Sequence, residues 1–314
     1  AATQDPCAAS QKFVCYSRYF QKVTTDESPT KAFNAMRTLS ANSTFVRSQC
    51  HQLSHNVGHA AFKKYGTLAK AYTMGDNYCW SGYYHGVTES AVGSMTKAQI
   101  RSQINGICAE LAARARYSAD HFTCSHGLGH GLFSVENDDL FVALKSCDIL
   151  VDGWERTSCY GGVYMENIMI PLREAGTTPY LKPTDLMYPC NAVDVPYKGQ
   201  CYGMQTSYAL QQTGYDFAKV AKLCQDLTDV AFVPACYNSL GRDASGSTNS
   251  KAAPTKAICE KAIDHEGQRN CMLGAMRDFV GNYHGNGEAK AFCALYESDL
   301  RTSCFKGVVQ AMIP

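Results

Sequence analysis

"CYGGVYMEN" (Cys159–Asn167), "CYGMQTSYAL" (Cys201–Leu210), "CYNSLGRDA" (Cys236–Ala244), "CMLGAMRDF" (Cys271–Phe279) and "CFKGVVQAM" (Cys304–Met312) are versions of one text. Together with Cys15, Cys50, Cys79 and Cys124 they mark starts spaced 35, 29, 45, 35, 42, 35, 35 and 33 residues apart. A period near 35 is what one helical hairpin per unit produces. Each start opens an apolar stretch of about three helical turns. A second amphipathic stretch follows, as in "DFAKVAKLCQDL" (Asp216–Leu227) or "APTKAICEKAI" (Ala253–Ile263). Pro29 and Pro254 stand near the starts of two such second stretches, where proline is tolerated.

Third after the starting cysteine comes a small residue in six of the seven units from Cys79 onward: Gly82, Gly127, Gly162, Ser239, Gly274 and Gly307, with Met204 the exception. Glycine costs a helix interior up to about 1 kcal/mol, so its recurrence needs a cause, and close approach of neighbouring first helices supplies one.

The 16 cysteines include no Cys-x-x-Cys, which argues against zinc ribbons, thioredoxin-like centres and iron–sulfur clusters. A disulfide framework formed in an oxidising compartment remains, placing the protein outside the cell, in a periplasm or on a cell surface. Most second stretches carry a cysteine shortly before the next start. The pairs so suggested are Cys7–Cys15, Cys108–Cys124, Cys147–Cys159, Cys190–Cys201, Cys224–Cys236, Cys259–Cys271 and Cys293–Cys304, with Cys50–Cys79 left by elimination.

The expected fold is therefore all-α: a single solenoid over 1–314 of about eight hairpins stapled by sequential disulfides. Residues 1–49 form its N-terminal repeat, 50–133 the histidine-rich repeats, 134–303 the later repeats and 304–314 a terminal half-repeat. In period and cysteine placement this architecture resembles the cysteine-rich Sel1-like and tetratricopeptide-like helical-repeat proteins. The resemblance covers nearly the whole chain and implies the architecture alone, because the Sel1 consensus of Leu-Gly followed by Tyr and Gly is not kept.

A formal charge of +1 gives no electrostatic reason to expect nucleic acid as partner. No apolar run approaches the roughly 20 residues that span a bilayer, so a soluble chain is expected. It begins with Ala1 rather than Met, as a trimmed precursor or a chosen start would. Two insertions stand out: "PLREAGTTPYLKPTDLMYPC" (Pro171–Cys190), with four prolines, reads as an ordered loop, and "ASGSTNSKAAP" (Ala244–Pro254) as a flexible surface turn. Asn42-Ser43-Thr44 is a glycosylation sequon.

Seven of the nine histidines fall between residues 51 and 130. "CHQLSHNVGHAAF" (Cys50–Phe62) and "CSHGLGHGLF" (Cys124–Phe133) each write Ser-His-x-x-Gly-His. His55 and His59 align with His126 and His130, and the i, i+4 spacing sends both rings from one helix face. His51 extends the first face by a turn; His85, with Glu89 four residues later, lies on the helix between. With thiols oxidised, imidazole and carboxylate suit zinc or copper. One ion touching all three helices would require strong curvature, so two sites that each include the middle helix are expected. Bis-histidine haem is the alternative, because Gly58 and Gly129 precede His59 and His130 and would admit a flat macrocycle. A purely structural histidine cluster is the plain alternative.

Three histidines with an open position on zinc would activate water, with Glu89 or Glu166 as base, but no protease, hydrolase, phosphate-loop or dinucleotide motif accompanies them, and the sequence leaves catalysis undecided. Later units carry Met165, Ser207, Arg242 and Arg277 at the level of His130, where Arg242-Asp243 and Arg277-Asp278 read as structural ion pairs. The chain closes on the apolar Val308, Val309, Ala311, Met312 and Ile313, which either fold back or stack end-to-end on another subunit as a filament.

Overall fold

The computed structural model describes residues 5–171, 176–283 and 287–312, and the chain falls into two compact units, Ala1–Gly176 and Thr177–Pro314. Among the described residues secondary structure is helical, apart from one isolated bridge between Lys182 and Asp185. The first unit contains α1 (Phe13–Asp26), α2 (Pro29–Asn42), α3 (Thr44–Ser48), α4 (Cys50–Tyr65), α5 (Leu68–Tyr72), α6 (Gly82–Gly93), α7 (Lys97–Ile107), α8 (Ala109–Arg114), α9 (Ala119–Val135), α10 (Leu140–Cys147) and α11 (Gly153–Met169). The second contains α12 (Val195–Gln212), α13 (Phe217–Gln225), α14 (Val233–Ser247), α15 (Ala252–Cys259), α16 (His265–Tyr283), α17 (Gly287–Ala294) and α18 (Ser298–Met312).

In the first unit α4 packs on α1, α6 on α4, α9 on α6 and α11 on α9; in the second, α14 packs on α12, α16 on α14 and α18 on α16. These inner helices are the stretches opened by the repeated text. Most begin earlier than the cysteine, however. In α9 and α11 the cause is an N-cap: Ser118 Oγ accepts the His121 amide at 3.3 Å, and Asp152 Oδ1 accepts that of Trp154 at 2.8 Å; α12 and α14 instead open on a proline in the first turn. The third start differs, because residues Cys79, Trp80 and Ser81 have φ of 62°, 55° and 59° and α6 begins only after them.

All sixteen cysteines close into eight disulfides with the sequential pairing that the spacing predicts. Most tie an outer helix or its end to the next inner helix, and closing loops this short stabilises the fold by roughly 3 kcal/mol each. Such bonds require an oxidising environment. No helix among the described residues is long and apolar enough to cross a membrane.

The glycines explain how inner helices meet. A Cβ on Gly129 would lie 2.0 Å from the carbonyl oxygen of Cys159, and one on Gly162 would lie 1.9 Å from that of His126. Gly58 and Gly86 stand in the same reciprocal relation to Tyr83 and His55, and Gly241 and Gly274 to Cys271 and Asn238. In each pair a glycine faces the carbonyl three residues before its partner glycine. Backbone meets backbone, with room for Cα–H···O contacts and for nothing larger.

The insertions differ in character. Gln205 Nε2 donates to the carbonyls of Leu186 (2.9 Å) and Tyr188 (2.8 Å), which holds the described part of the proline-rich loop; residues 172–175 lie outside the described residues. "ASGSTNSKAAP" is not a free turn: α14 continues to Ser247, Ser245 is buried, and Thr248 Oγ1 bonds Thr255 Oγ1 at 2.6 Å. Small hydroxyl side chains that bond to each other and to i−4 carbonyls look like linker composition but act as a cap. Asn42 is exposed and its Nδ2 donates to the Thr38 carbonyl at 3.3 Å. Of the closing apolar residues, Val308 is buried in the core with Met272, Met276 and Phe292, and Val309 is exposed; Ile313 lies outside the described residues.

Replacing Gly274 by Ala should destabilise the chain by several kcal/mol, because a Cβ 2.0 Å from the Asn238 carbonyl forces the helices apart. Gly203 lies inside α12 with nothing within 4 Å of a Cβ, so Gly203→Ala should instead stabilise by up to about 1 kcal/mol. Thermal unfolding followed by circular dichroism checks both; equal effects would refute the close-contact account.

Candidate metal centre

The glycine contacts fix what stands in front of them. His55 and His126 are the residues whose carbonyls meet Gly86 and Gly162, and His59 and His130 follow Gly58 and Gly129 directly. Helices α4, α6 and α9 therefore project their rings into one space, and α11 adds a carboxylate. The centroids of His55 and His85 are 5.4 Å apart, those of His85 and His126 4.8 Å, and those of His126 and His130 5.1 Å. His55 and His130, on the non-adjacent helices α4 and α9, also meet at 5.1 Å. The sequence reading required strong curvature for such contact; glycine-tight packing makes the span short enough.

All seven expected residues, His51, His55, His59, His85, Glu89, His126 and His130, belong to this cluster, and Glu166 joins it. Four triads have their ligand atoms within 4.8 Å of one another: His51–His55–His85, His85–His126–His130, His55–His59–Glu89 and Glu89–His130–Glu166. Each contains His85 or Glu89 of the middle helix.

The hydrogen bonds order the rings. His51 Nδ1 donates to the Cys79 carbonyl at 2.9 Å, since a carbonyl only accepts. Its Nε2 lies 3.2 Å from Nε2 of His55, whose Nδ1 lies 3.2 Å from both oxygens of Glu89. His59 Nε2 is 2.6 Å from Oε2 of Glu89, and His130 Nδ1 is 2.7 Å from Oε2 of Glu166.

Burial sets the charge. His85 and His130 are 3% and 1% exposed, and His59 is the open edge with a third of its side chain in solvent. Burial, then the positive charge of neighbouring imidazoles, pushes His51 down to about 3 and holds His85 and His130 well below their ordinary value. Burial alone would raise Glu89, but the charges and hydrogen bonds of His55 and His59 hold its carboxyl well below the usual range. Neutral His51, His85 and His130 and an ionised Glu89 are in the protonation states that metals bind.

The opening for haem is absent. Gly58 and Gly129 face the carbonyls of Tyr83 and Cys159, so helix backbone occupies the room that a macrocycle would use.

Sequence reasoning placed Glu166 only as a base and overlooked a second buried pair, His121 Nε2 to Glu155 Oε1 at 2.6 Å. The signal was the period. His55–Glu89 and His121–Glu155 are both 34 residues apart and His130–Glu166 is 36, so each glutamate faces its histidine one repeat later. In the second unit the level of His130 is filled by a different network: Arg242 Nη2 bonds Asp243 at 2.9 Å and Ser207 at 2.9 Å, while Arg277 donates to Asn238 at 2.9 Å.

The metal-free chain should lose stability with acid. His51, His85 and His130 bind protons more weakly folded than unfolded, so the unfolded state gains protons first. Their contribution is intact above pH about 6.5 and falls below it, by about 1.4 kcal/mol per pH unit per histidine, with His51 doing so until about pH 3. Glu89, depressed when folded, adds loss in the same direction below about pH 4.3. Urea midpoints in chelator should therefore drop steeply from pH 7 to 5, and a flat or rising profile would contradict the buried neutral cluster. Neither a protein-family model, nor a curated protein, nor a solved structure matches this chain.

Proposed function

We propose that the protein binds a metal ion, zinc or copper, in the imidazole cluster of its first unit. One observation carries the reading: in the buried triad His85–His126–His130, Nδ1 of His85 and Nε2 of His130 meet no hydrogen-bond partner among the described residues. A buried polar atom left unpaired costs about 1–3 kcal/mol, and a bound cation removes that cost. A tetrahedral ion with bonds of about 2.0–2.1 Å separates its ligand atoms by roughly 3.3 Å, so rings already within 4.8 Å close on it by small rotations.

The third glycine pair argues against a packing by-product. Gly241 and Gly274 make the same backbone contact, with Asn238 and Arg242 where the first two pairs carry histidines. The contact does not need imidazole. With every cysteine in a disulfide, the donors are nitrogen and oxygen, which suits zinc or copper. The same reading places the protein outside the cell, in a periplasm or on a cell surface. It also takes the inner-helix order within each unit as parts of a Sel1-like solenoid of about eight hairpins.

Elemental analysis of protein purified without chelator should find zinc or copper in stoichiometric amount. Chelation should lower the melting temperature and metal restore it, an effect of about 2.7 kcal/mol at a hundredfold excess over Kd. His85→Ala should weaken binding by more than the 10- to 100-fold that an outer-shell loss costs, and His265→Ala, at an exposed histidine, should leave it unchanged. Protein that binds neither metal and shows no thermal shift with either would sink the proposal.

A further inference from the structure

We infer that the cluster holds two ions at once in two unlike sites, one among His85, His126 and His130 and the other among His55, His59 and Glu89, an inference that rests on the metal-binding reading above. The four triads divide into disjoint sets in two ways. Protons decide between them.

His51 Nδ1 carries a hydrogen, because it faces the Cys79 carbonyl, so its Nε2 is bare. Nε2 of His55, 3.2 Å away, must then carry the hydrogen of that contact. Nδ1 of His55 faces both oxygens of Glu89 at 3.2 Å. An ion bound there would take the place of any proton shared between that ring nitrogen and the carboxylate. His59 Nε2, 2.6 Å from the same carboxylate, completes that site.

On the other side, His130 Nδ1 faces Glu166 at 2.7 Å and carries its hydrogen there, leaving Nε2 bare. That atom and Nδ1 of His85 are buried nitrogens that meet no hydrogen-bond partner among the described residues, and His126 closes the triad around them. The remaining members become positioning residues. Glu166 orients His130, and His51 orients His55 while being held by the Cys79 carbonyl, the arrangement in which a ligating imidazole donates its outer N–H. The other division, His51–His55–His85 with Glu89–His130–Glu166, makes Glu166 a ligand and leaves Nε2 of His130 unmatched.

The two sites differ in chemistry. The all-imidazole site is buried and suits copper or zinc. The mixed site carries a carboxylate, suits zinc, iron or manganese, and reaches solvent through His59, whose side chain is 33% exposed.

Zinc titration of the metal-free protein by calorimetry, with elemental analysis, should give two ions per chain with separate affinities. Glu89→Gln and His126→Ala should each leave one ion, and Glu166→Gln should retain two while weakening one 10- to 100-fold. Circular dichroism screens each variant for folding. Wild-type protein gives an independent reading: its copper(II) resonance at two equivalents should broaden relative to one, through dipolar coupling of neighbouring ions. One ion per chain would overturn the pair and leave the metal-binding reading standing; loss of an ion in Glu166→Gln would overturn the division; no ion at all would overturn both readings.

Discussion

The first unit depends on backbone-to-backbone contact between inner helices. At Gly58–Gly86 and Gly129–Gly162 a carbonyl occupies the space where a Cβ would stand, so each helix pair has one crossing and one register. Glycine weakens the helix interior by about 1 kcal/mol, yet the contact returns a fixed geometry. The residues three before and one after the first glycine of each pair then point into a common space, and in both pairs those residues are histidines. The short local disulfides act on another link: they hold outer helices to inner ones and leave the inner face to the glycines.

Such a face would be costly if its rings were charged. Several imidazoles at ring separations near 5 Å cannot all be protonated in a low-dielectric interior, and the fold settles this by burial, which favours the neutral form. The two carboxylates at the margin, Glu89 and Glu166, orient the rings that they bond. His121 shows what a purely structural histidine looks like here. It is 1% exposed, its Nε2 is 2.6 Å from Glu155, its Nδ1 accepts the Tyr117 amide at 3.0 Å, and both nitrogens are engaged. The contrast with His85 and His130 lies in pairing, since all three are buried.

The repeat made much of this legible in one sequence. Cysteine spacing carries the disulfide pairing because each bridge is local, and aligning the units puts His59, His85 and His130 at one level before any coordinates exist. Helix starts were not legible, because caps such as Ser118 and Asp152 vary in type and lie outside the repeated text. The pairing of Glu166 with His130, and Glu155 altogether, were overlooked for a different reason. Scanning within one helix finds neighbours at i+3 and i+4, whereas a partner one repeat later requires the helix-to-helix register, which the glycine contacts set. Reading Gly58 and Gly129 as room for a ligand failed likewise: the missing Cβ was already filled by a neighbouring carbonyl.

The tight contacts also change what counts as the repeating unit. Reciprocal glycines join α4 with α6, α9 with α11 and α14 with α16, whereas between α6 and α9 a Cβ on Gly127 or Gly131 would meet the side chains of Thr88 and Val92 at 2.9 Å. Six inner helices thus come in couples, two of these couples in the first unit, while among the described residues α1, α12 and α18 show no such reciprocal contact. That is why the Ser-His-x-x-Gly-His strings recur after 71 residues rather than 35, with a glutamate on the second helix of each couple. In the third couple the glycines persist, while Arg242 and Asp243 form a polar network with Ser207 and Ser239, and Asn238 bonds the Pro234 carbonyl and Arg277. The same backbone scaffold therefore carries either a hydrogen-bonded network complete in itself or an imidazole face that leaves buried nitrogens bare. Packing requires the glycines alone, and the two kinds of face differ in whether their buried polar atoms find partners.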